Sequence, residues 1–418
     1  MAPGLEVNRY TTVVNLIETI TGPLADDLEI VKAAALRLGL KVWLVGGPVR
    51  DALLEREVVD LDFLVEGRVE ELAASVAEQM GGLVREHPAF MTAKFLHPAG
   101  RPIDFTTART ETYPEPGVLP VVRPATVQED LLRRDFSVNA MAFDLQESTL
   151  LDPAGGAADL ESGLLRILHA DSFIDDPTRM FRLSRFAARL QFRIENETQQ
   201  LLDEALAAKA FQTVSPQRLW RELVICFREP DPASTVASLL RTGVLQSWTG
   251  VDAVDPRLSS RLNLLQEACS EMTGLDEEVL FVATLIDSMP GASIPAGLSL
   301  SRHRHDLFER LLHESPKTFE RWPSLTSDED RARFCLELSP EEFVFFAIGN
   351  RDAREILEIC RGVHDQSLPF GGDDLRVPPG PHVGKALRDA RVRAWLDPAS
   401  PEALLEFARK AALRYLSD

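Results

Sequence analysis

Residues 41–65 read KVWLVGGPVRDALLEREVVDLDFLV, and their pattern decides the kind of fold this chain makes. Residues 41–45 are a short apolar run, suited to a buried strand, that ends on Gly46-Gly47. Pro48 is well placed in the first turn of a helix, which the pattern carries through Leu54. A second strand is expected at 59–65, where Asp60 and Asp62 interrupt otherwise apolar residues. Side chains alternate along a strand, so the two carboxylates project from one face. Held that close, they repel unless a cation lies between them. Mg²⁺ bound to triphosphate oxygens is the natural occupant, because it takes few carboxylates and completes its shell with phosphate oxygens. A solvated strand end carrying two acids is the alternative. The glycines also admit two readings. They let the backbone approach a phosphate at the start of a helix, or they make an ordinary strand-to-helix turn.

Outward from this stretch the signals alternate between helix and strand. Leu28, Val31, Ala35 and Leu38 recur at helical spacing, with Gly39 as the C-cap. Val69, Leu72, Ala73, Val76, Ala77 and Met80 mark one face of a second helix, stopped by Gly81-Gly82. Residues 92–96 and 101–108, joined by Pro98-Ala99-Gly100, read as a hairpin, and Asp104 on it offers a third carboxylate. This is a small mixed sheet with helices, α/β or α+β. From about Glu161 strand signals fade into successive helical patterns, with Pro-rich breaks near 230–232, 290–295 and 369–381.

A formal net charge of −20 and a pI near 4.9 argue against an indiscriminate nucleic-acid binder. They leave room for a local basic track, since arginines bunch at Arg133-Arg134, at Arg179, Arg182, Arg185, Arg189 and Arg193, and at Arg302 and Arg304. Solvated helix faces are the alternative. No apolar run is long enough to span a bilayer, and residues 1–5 lack a basic region followed by an apolar core, so no signal peptide is expected. Cys226, Cys269, Cys335 and Cys360 are widely spaced in apolar surroundings, which suggests buried free thiols in a reducing cytoplasm.

Three further segments carry chemistry. Arg133-Arg134-Asp135-Phe136-Ser137-Val138-Asn139 suits recognition of a ribose and triphosphate, or else is a charged loop capping a strand. In Asp175-Asp176-Pro177-Thr178-Arg179, one acid caps a helix that begins at Pro177. Asp176 and Arg179 share one side of that turn. Cytosine and adenine both present an amino donor beside a ring-nitrogen acceptor, which a carboxylate and a guanidinium match; guanine and uracil do not. The alternative is a capped helix with an intrahelical ion pair. Residues 110–120 are punctuated by Pro and Gly, as a surface loop able to swing near a pocket would be.

Gly46-Gly47-x-Val49-Arg50-Asp51, Asp60-x-Asp62 and Arg134-Asp135-Phe136-x-x-Asn139-Ala140, taken in order, resemble the class II tRNA nucleotidyltransferases and bacterial poly(A) polymerases. Asp152-Pro153-x-Gly155-Gly156-x-x-Asp159-Leu160 is similar to that family's head-to-neck turn. Asp176-Pro177-x-Arg179 resembles its nucleotide-templating motif, and Ser215-Pro216-x-Arg218-x-x-x-Glu222-Leu223 the neck motif supporting it. Gly371-Gly372-Asp373-Asp374-Leu375 and Gly380-Pro381-x-Val383-Gly384-x-x-Leu387 resemble the tail of the CCA-adding members, which contacts the outer part of the tRNA minihelix. The chain departs from the family with Asp175 and Gln217, where Glu is usual at both. His305-Asp306 stands without the companion ligands of an appended HD phosphohydrolase.

The resemblance implies an α/β nucleotidyltransferase head of the DNA polymerase β-like superfamily at 1–155. An all-α neck at 156–250, body at 251–364 and tRNA-binding tail at 365–418 follow. It implies a Mg²⁺ pair on Asp60 and Asp62 with Asp104 assisting. Gly46, Gly47 and Arg50 would hold the triphosphate, and Arg134, Asp135 and Asn139 the ribose and phosphate. Asp176 and Arg179 would read the base, with Arg182 and Arg185 on the same nucleotide-binding helix. The substrates would be CTP and ATP and the partner the tRNA 3′ acceptor end, in the cytoplasm and away from membranes, as monomer or dimer. Full CCA addition is the favoured activity, with A addition alone close behind. A loop at 110–120 is shortened in members that add only CC, so its presence here disfavours that activity. Poly(A) synthesis and a non-catalytic RNA-binding role are the remaining alternatives.

Overall fold

The computed structural model describes residues 16–293 and 297–417; the signal-peptide expectation for residues 1–5 lies outside them. The chain divides into two compact units, Met1–Glu222 with Ser238–Trp248, and Leu223–Ala237 with Thr249–Asp418.

The first unit opens with helix α1 (Pro23–Leu38), which ends at Gly39 as its pattern predicts. Strand β1 (Lys41–Val45) runs into the glycine turn and α2 (Gly47–Leu53). The second expected strand, β2 (Leu61–Glu66), starts two residues late, because Val59 is exposed. Helix α3 (Val69–Met80) follows and stops at Gly81. Strands β3 (Leu83–His87), β4 (Thr92–Leu96), β5 (Pro102–Thr107), β6 (Arg109–Thr112), β7 (Val121–Pro124), β8 (Ala142–Asp144) and β9 (Thr149–Leu151) come next. One sheet takes the order β3-β4-β5-β2-β1-β8-β9, while β6 and β7 pair separately.

Only β2 and β5 run parallel in that sheet, with Phe63 opposite Phe105 and Asp62 opposite Asp104. Phe63 and Phe105 stack at 5.5 Å and are fully buried, each side chain contributing about 1.5–3 kcal/mol by leaving water. On the other face Trp43, Val45 and Leu64 join Ala108, Val127, Leu131, Ala140 and Ala142 in an apolar cluster. Alternation puts Asp62 on the same face as Leu64. One side of β2 is thus core at Leu64 and acidic at Asp62, where the apolar cover ends.

Helices α4 (Val127–Leu132), α5 (Gly156–Ser162), α6 (Ser172–Asp175), α7 (Thr178–Leu190), α8 (Asn196–Ala207) and α9 (Pro216–Phe227) follow. The expected end of strand structure near Glu161 has one exception. Strand β10 (Leu164–Leu165) pairs in parallel with β11 (Arg193–Ile194), bracketing α7. Two-residue strands are too short to show a period in sequence. Phe181 of α7 packs edge-on against Trp248 and tilted against Phe211, which anchors the helix.

Among the described residues the second unit consists of helices, including Leu258–Glu271, Glu277–Asp287, Pro340–Gly349, Ala353–His364, Pro381–Leu396 and Pro401–Ser417. The expectation of free thiols is corrected for two of the four cysteines. Cys335 and Cys360 form a disulfide, because the helices Asp328–Cys335 and Ala353–His364 pack side by side and bring their Cα atoms to 5.0 Å. No described helix is long and apolar enough to cross a membrane.

Candidate active site

Asp60 stands immediately before β2 and Asp62 is its second residue. Burial pushes the Asp62 carboxyl up to about 7, and the charges of Asp60 and then Asp104 add to the effect. Asp60 is raised as well, by burial first and then by Asp51. Neither shift suits a carboxylate meant only for water; both fit groups waiting for a cation. Asp104 faces Asp62 across the β2–β5 register, and its Oδ2 lies 3.3 Å from Lys94 Nζ. Among the described residues no group of three or more His, Cys, Asp or Glu side chains is arranged to hold a metal. The donor set is a carboxylate pair, which fits Mg²⁺ drawing its other ligands from phosphate oxygens and water.

The pair opens on a cleft of about 770 Å³, within the range of small-ligand sites. Ten arginines and seven carboxylates line it, so the cleft is locally positive in a chain of net charge −20. Gly46 enters it at φ 68°, and a Cβ there would sit 3.2 Å from Arg134 Nη1. The left-handed conformation is what favours glycine here, and a Cβ would also press the tip of Arg134 back by a few tenths of an ångström. Arg134 is held in turn by Asp130, whose Oδ1 accepts from Arg134 Nε at 3.1 Å.

Asp130 is one residue that sequence reasoning missed. It is fully buried and accepts from the Arg109 backbone N–H at 3.1 Å and from Arg133 Nη2 at 2.6 Å besides Arg134. A buried charge is tolerable only with such partners. In sequence it is one acid in the first turn of a short helix that begins with a Thr126–Glu129 capping box, and nothing local marks it. Glu111 was missed for the same reason; it accepts from Arg133 at 2.7 Å and from the Tyr113 hydroxyl at 2.9 Å.

A second network ties the sheet to α7. Arg50 donates to both Asp51 oxygens at 2.8–2.9 Å and to Asn139 Oδ1 at 2.7 Å. Asn139 Nδ2 donates to Asp135 Oδ1 at 3.1 Å, and Arg182 Nε to Asp135 Oδ2 at 2.9 Å. Burial alone would raise the Asp135 carboxyl, but the Arg182 charge and hydrogen bonds outweigh it and hold the group at about 2. The structure therefore gives Arg50, Asp135 and Asn139 mutual partners first and a face on the cleft second. Phe186 carries Arg50, Arg182 and Arg185 over its ring at 5.3, 5.7 and 4.9 Å.

The expected base-reading pair is present but not joined. Asp176 Oδ1 accepts from the Thr178 N–H at 3.2 Å and hydroxyl at 2.6 Å, and from Arg218 Nη2 at 2.8 Å. Arg179 donates to Ser172 Oγ at 2.6 Å and to the Arg133 carbonyl at 2.9 Å. All of the Asp176 bonds fall on Oδ1, so Oδ2 keeps its accepting capacity. Glu222 Oε2 is likewise buried without a hydrogen-bond partner in the same cleft.

The 110–120 segment is less free than its composition suggests. Residues 109–112 and 121–124 pair as β6 and β7. At the tip, Gly117 N donates to the Asp175 carbonyl at 3.1 Å, and Arg218 Nη1 donates to the Gly117 carbonyl at 2.6 Å. Arg218 thus ties the loop and Asp176 together.

Residues 42–166 match the poly A polymerase head domain. The chain is 32% identical to the A-adding tRNA nucleotidyltransferase of Halalkalibacterium halodurans, over 86% of each protein. It is 35% identical to the CC-adding tRNA nucleotidyltransferase of Deinococcus radiodurans, over 82% of each. Among solved structures it is similar to a CCA-adding enzyme in an apo form, with a TM-score of 0.74 and 25% identity, covering 94% of this chain and 96% of that one.

Proposed function

Because the chain belongs to the tRNA nucleotidyltransferase family, we propose that it extends the 3′ end of tRNA, adding CMP and AMP from CTP and ATP to complete the CCA end and releasing pyrophosphate. The observation that carries this reading is the carboxylate pair of Asp60, just before β2, and Asp62, on it, opening together on an arginine-lined cleft of about 770 Å³. Arg134, beside Gly46, is placed to neutralise triphosphate oxygens. Mg²⁺ held by Asp60 and Asp62, with Asp104 alongside, would supply charge stabilisation at the phosphoryl group and activate the attacking hydroxyl. Asp135 and Asn139 fix the floor under the ribose by holding Arg50 and Arg182 in place. Asp176, through Oδ2, and Arg179 match the pairing edge shared by cytosine and adenine.

A second reading, addition of the terminal A alone, is favoured by the A-adding relative that matches 86% of the chain. Incubating the protein with tRNAs lacking CCA, lacking CA or lacking only the final A, and sequencing the products, separates the two. Extension of the last substrate alone leaves the second reading standing; extension of none sinks both.

Arg179→Ala should relax selection against UTP and GTP by at least about tenfold, since a hydrogen bond to a charged group is worth roughly 1.5–3 kcal/mol. Single-turnover rates with the four nucleotides measure this, and unchanged discrimination removes Arg179 from base reading. Deleting residues 113–117 takes away the Tyr113–Glu111 bond and both Gly117 anchors. It should suppress AMP incorporation onto tRNA ending in CC far more than any CMP incorporation. Equal loss of both would make the loop a general structural brace.

A further inference from the structure

Arg179 reaches the cleft from α7 and is only 5% exposed, so its anchors decide which of its N–H groups a base can meet. Two side chains hold it from behind, and neither lines the cleft. Ser172 Oγ accepts from Arg179 Nη1 at 2.6 Å, and His169 Nε2 lies 3.4 Å from the same nitrogen. One turn supplies both, closed by the Ser172 N–H donating to the His169 carbonyl at 3.1 Å. The Arg133 carbonyl accepts from Nη2 at 2.9 Å. Nη1 is thus directed at the turn, which leaves Nε–H and the second Nη2 hydrogen for a base. A guanidinium is a flat, rigid fork, so pinning one nitrogen sets the angle of the whole plane.

The arrangement needs an uncharged imidazole. His169 Nε2 can accept from Arg179 only when the ring proton sits on Nδ1. Arg179 from α7, and Asp171 and Asp175 at the two ends of α6, are the charged groups acting on the ring. Burial, and then the Arg179 charge, lower the His169 pKa from its ordinary value against the pull of the two acids. The neutral form therefore persists through neutral pH and is lost only as pH falls below the usual histidine range. Protonation sets one N–H against another and one cation against another across 3.4 Å.

We propose that His169 is a positioning residue for base selection: as a neutral acceptor it holds the Arg179 guanidinium at the angle that reads cytosine and adenine. The inference rests on the base-reading role given to Arg179 above. The measurement is kcat/KM for ATP over that for GTP on tRNA ending in CC, a step shared by both readings of the function. Asp62, raised to about 7, also titrates, but it serves both nucleotides alike and cancels from the ratio. His169→Leu should lower the ratio about fivefold at every pH, the contribution of one ordinary hydrogen bond. In the wild type the ratio should hold steady at about pH 7–8 and fall by a similar factor toward about pH 5. His169→Gln puts a neutral acceptor near the place of Nε2, so its ratio should stay at the wild-type value and not fall with pH. Calorimetric Kd values for ATP and GTP give the same ratio without any tRNA extension. A wild-type ratio independent of pH, or one that falls equally in His169→Gln, overturns the proposal. An unchanged ratio in His169→Leu does so too, and a lower Tm or equal loss with both nucleotides then marks a structural residue only. A ratio lost in Arg179→Ala but kept in His169→Leu sinks this proposal alone; one kept in both removes the base-reading role of Arg179 as well.

Discussion

Replacing Asp60 and Asp62 together by Asn is expected to abolish nucleotide addition, with a loss of roughly a thousandfold or more, equivalent to about 4 kcal/mol of transition-state stabilisation. The affinity for tRNA should stay within a few fold, because backbone phosphates are bound by cations and not by these acids. Stability supplies the control. The Asp62 carboxyl is raised to about 7, mainly by burial. A carboxyl raised on folding weakens the fold as pH climbs from its unfolded value near 4 through 7. In metal-free buffer at pH 8 the double Asn variant should therefore melt higher than the wild type, not lower. A dead variant with a higher Tm and intact tRNA binding has lost only the chemistry. Turnover that survives both substitutions would place the cation site elsewhere.

That control exists because the acid pair could be read from local pattern. Residues 41–65 carry their own punctuation: an apolar run, two glycines, a proline, then acids at alternate positions in a second apolar run. The bounds of β1, and the ends of α1 and α3 at Gly39 and Gly81, are set by neighbours in sequence, and the structure follows them. Strands β8 and β9 show where such reading stops. Each has three residues, too few for a period, and the turn between them depends on Asp144 Oδ1 accepting from the N–H groups of Gln146 and Glu147.

What joins distant segments has no local signature. Asp130 reads as a helix-start acid, yet it anchors Arg133, Arg134 and the Arg109 backbone. Cys335 and Cys360 meet only because two helices pack together. Arg218 stands in a recognisable motif, but its bond to Gly117, 101 residues away, appears only in three dimensions. The motifs therefore tell which side chains reach the cleft, while the structure tells which of them are already committed to one another.

The Asp135–Arg182 pair tests that distinction with the largest stability effect in the site. Asp135 has a side chain 7% exposed, and Arg182 is 35% exposed along the cleft. Arg182→Met keeps the aliphatic packing on Phe186 but leaves a buried carboxylate held only by the Phe136 N–H and Asn139. Breaking a buried pair costs about 3–5 kcal/mol, and the partial exposure of Arg182 argues for the lower end. Arg182→Met with Asp135→Asn should recover most of the loss, because no unpaired charge remains. The pH dependence carries the sign. The Asp135 carboxyl is held at about 2, below its unfolded value, by the Arg182 charge and hydrogen bonds acting against burial. Its contribution is fully present above about pH 4 and is lost as pH falls through about 2. Urea melts should show the deficit of the single variant at full size near pH 6 and shrinking toward pH 2. A deficit that stays constant across that window would mean Arg182 stabilises the neck by packing on Phe186, and that its charge on Asp135 contributes nothing to the fold.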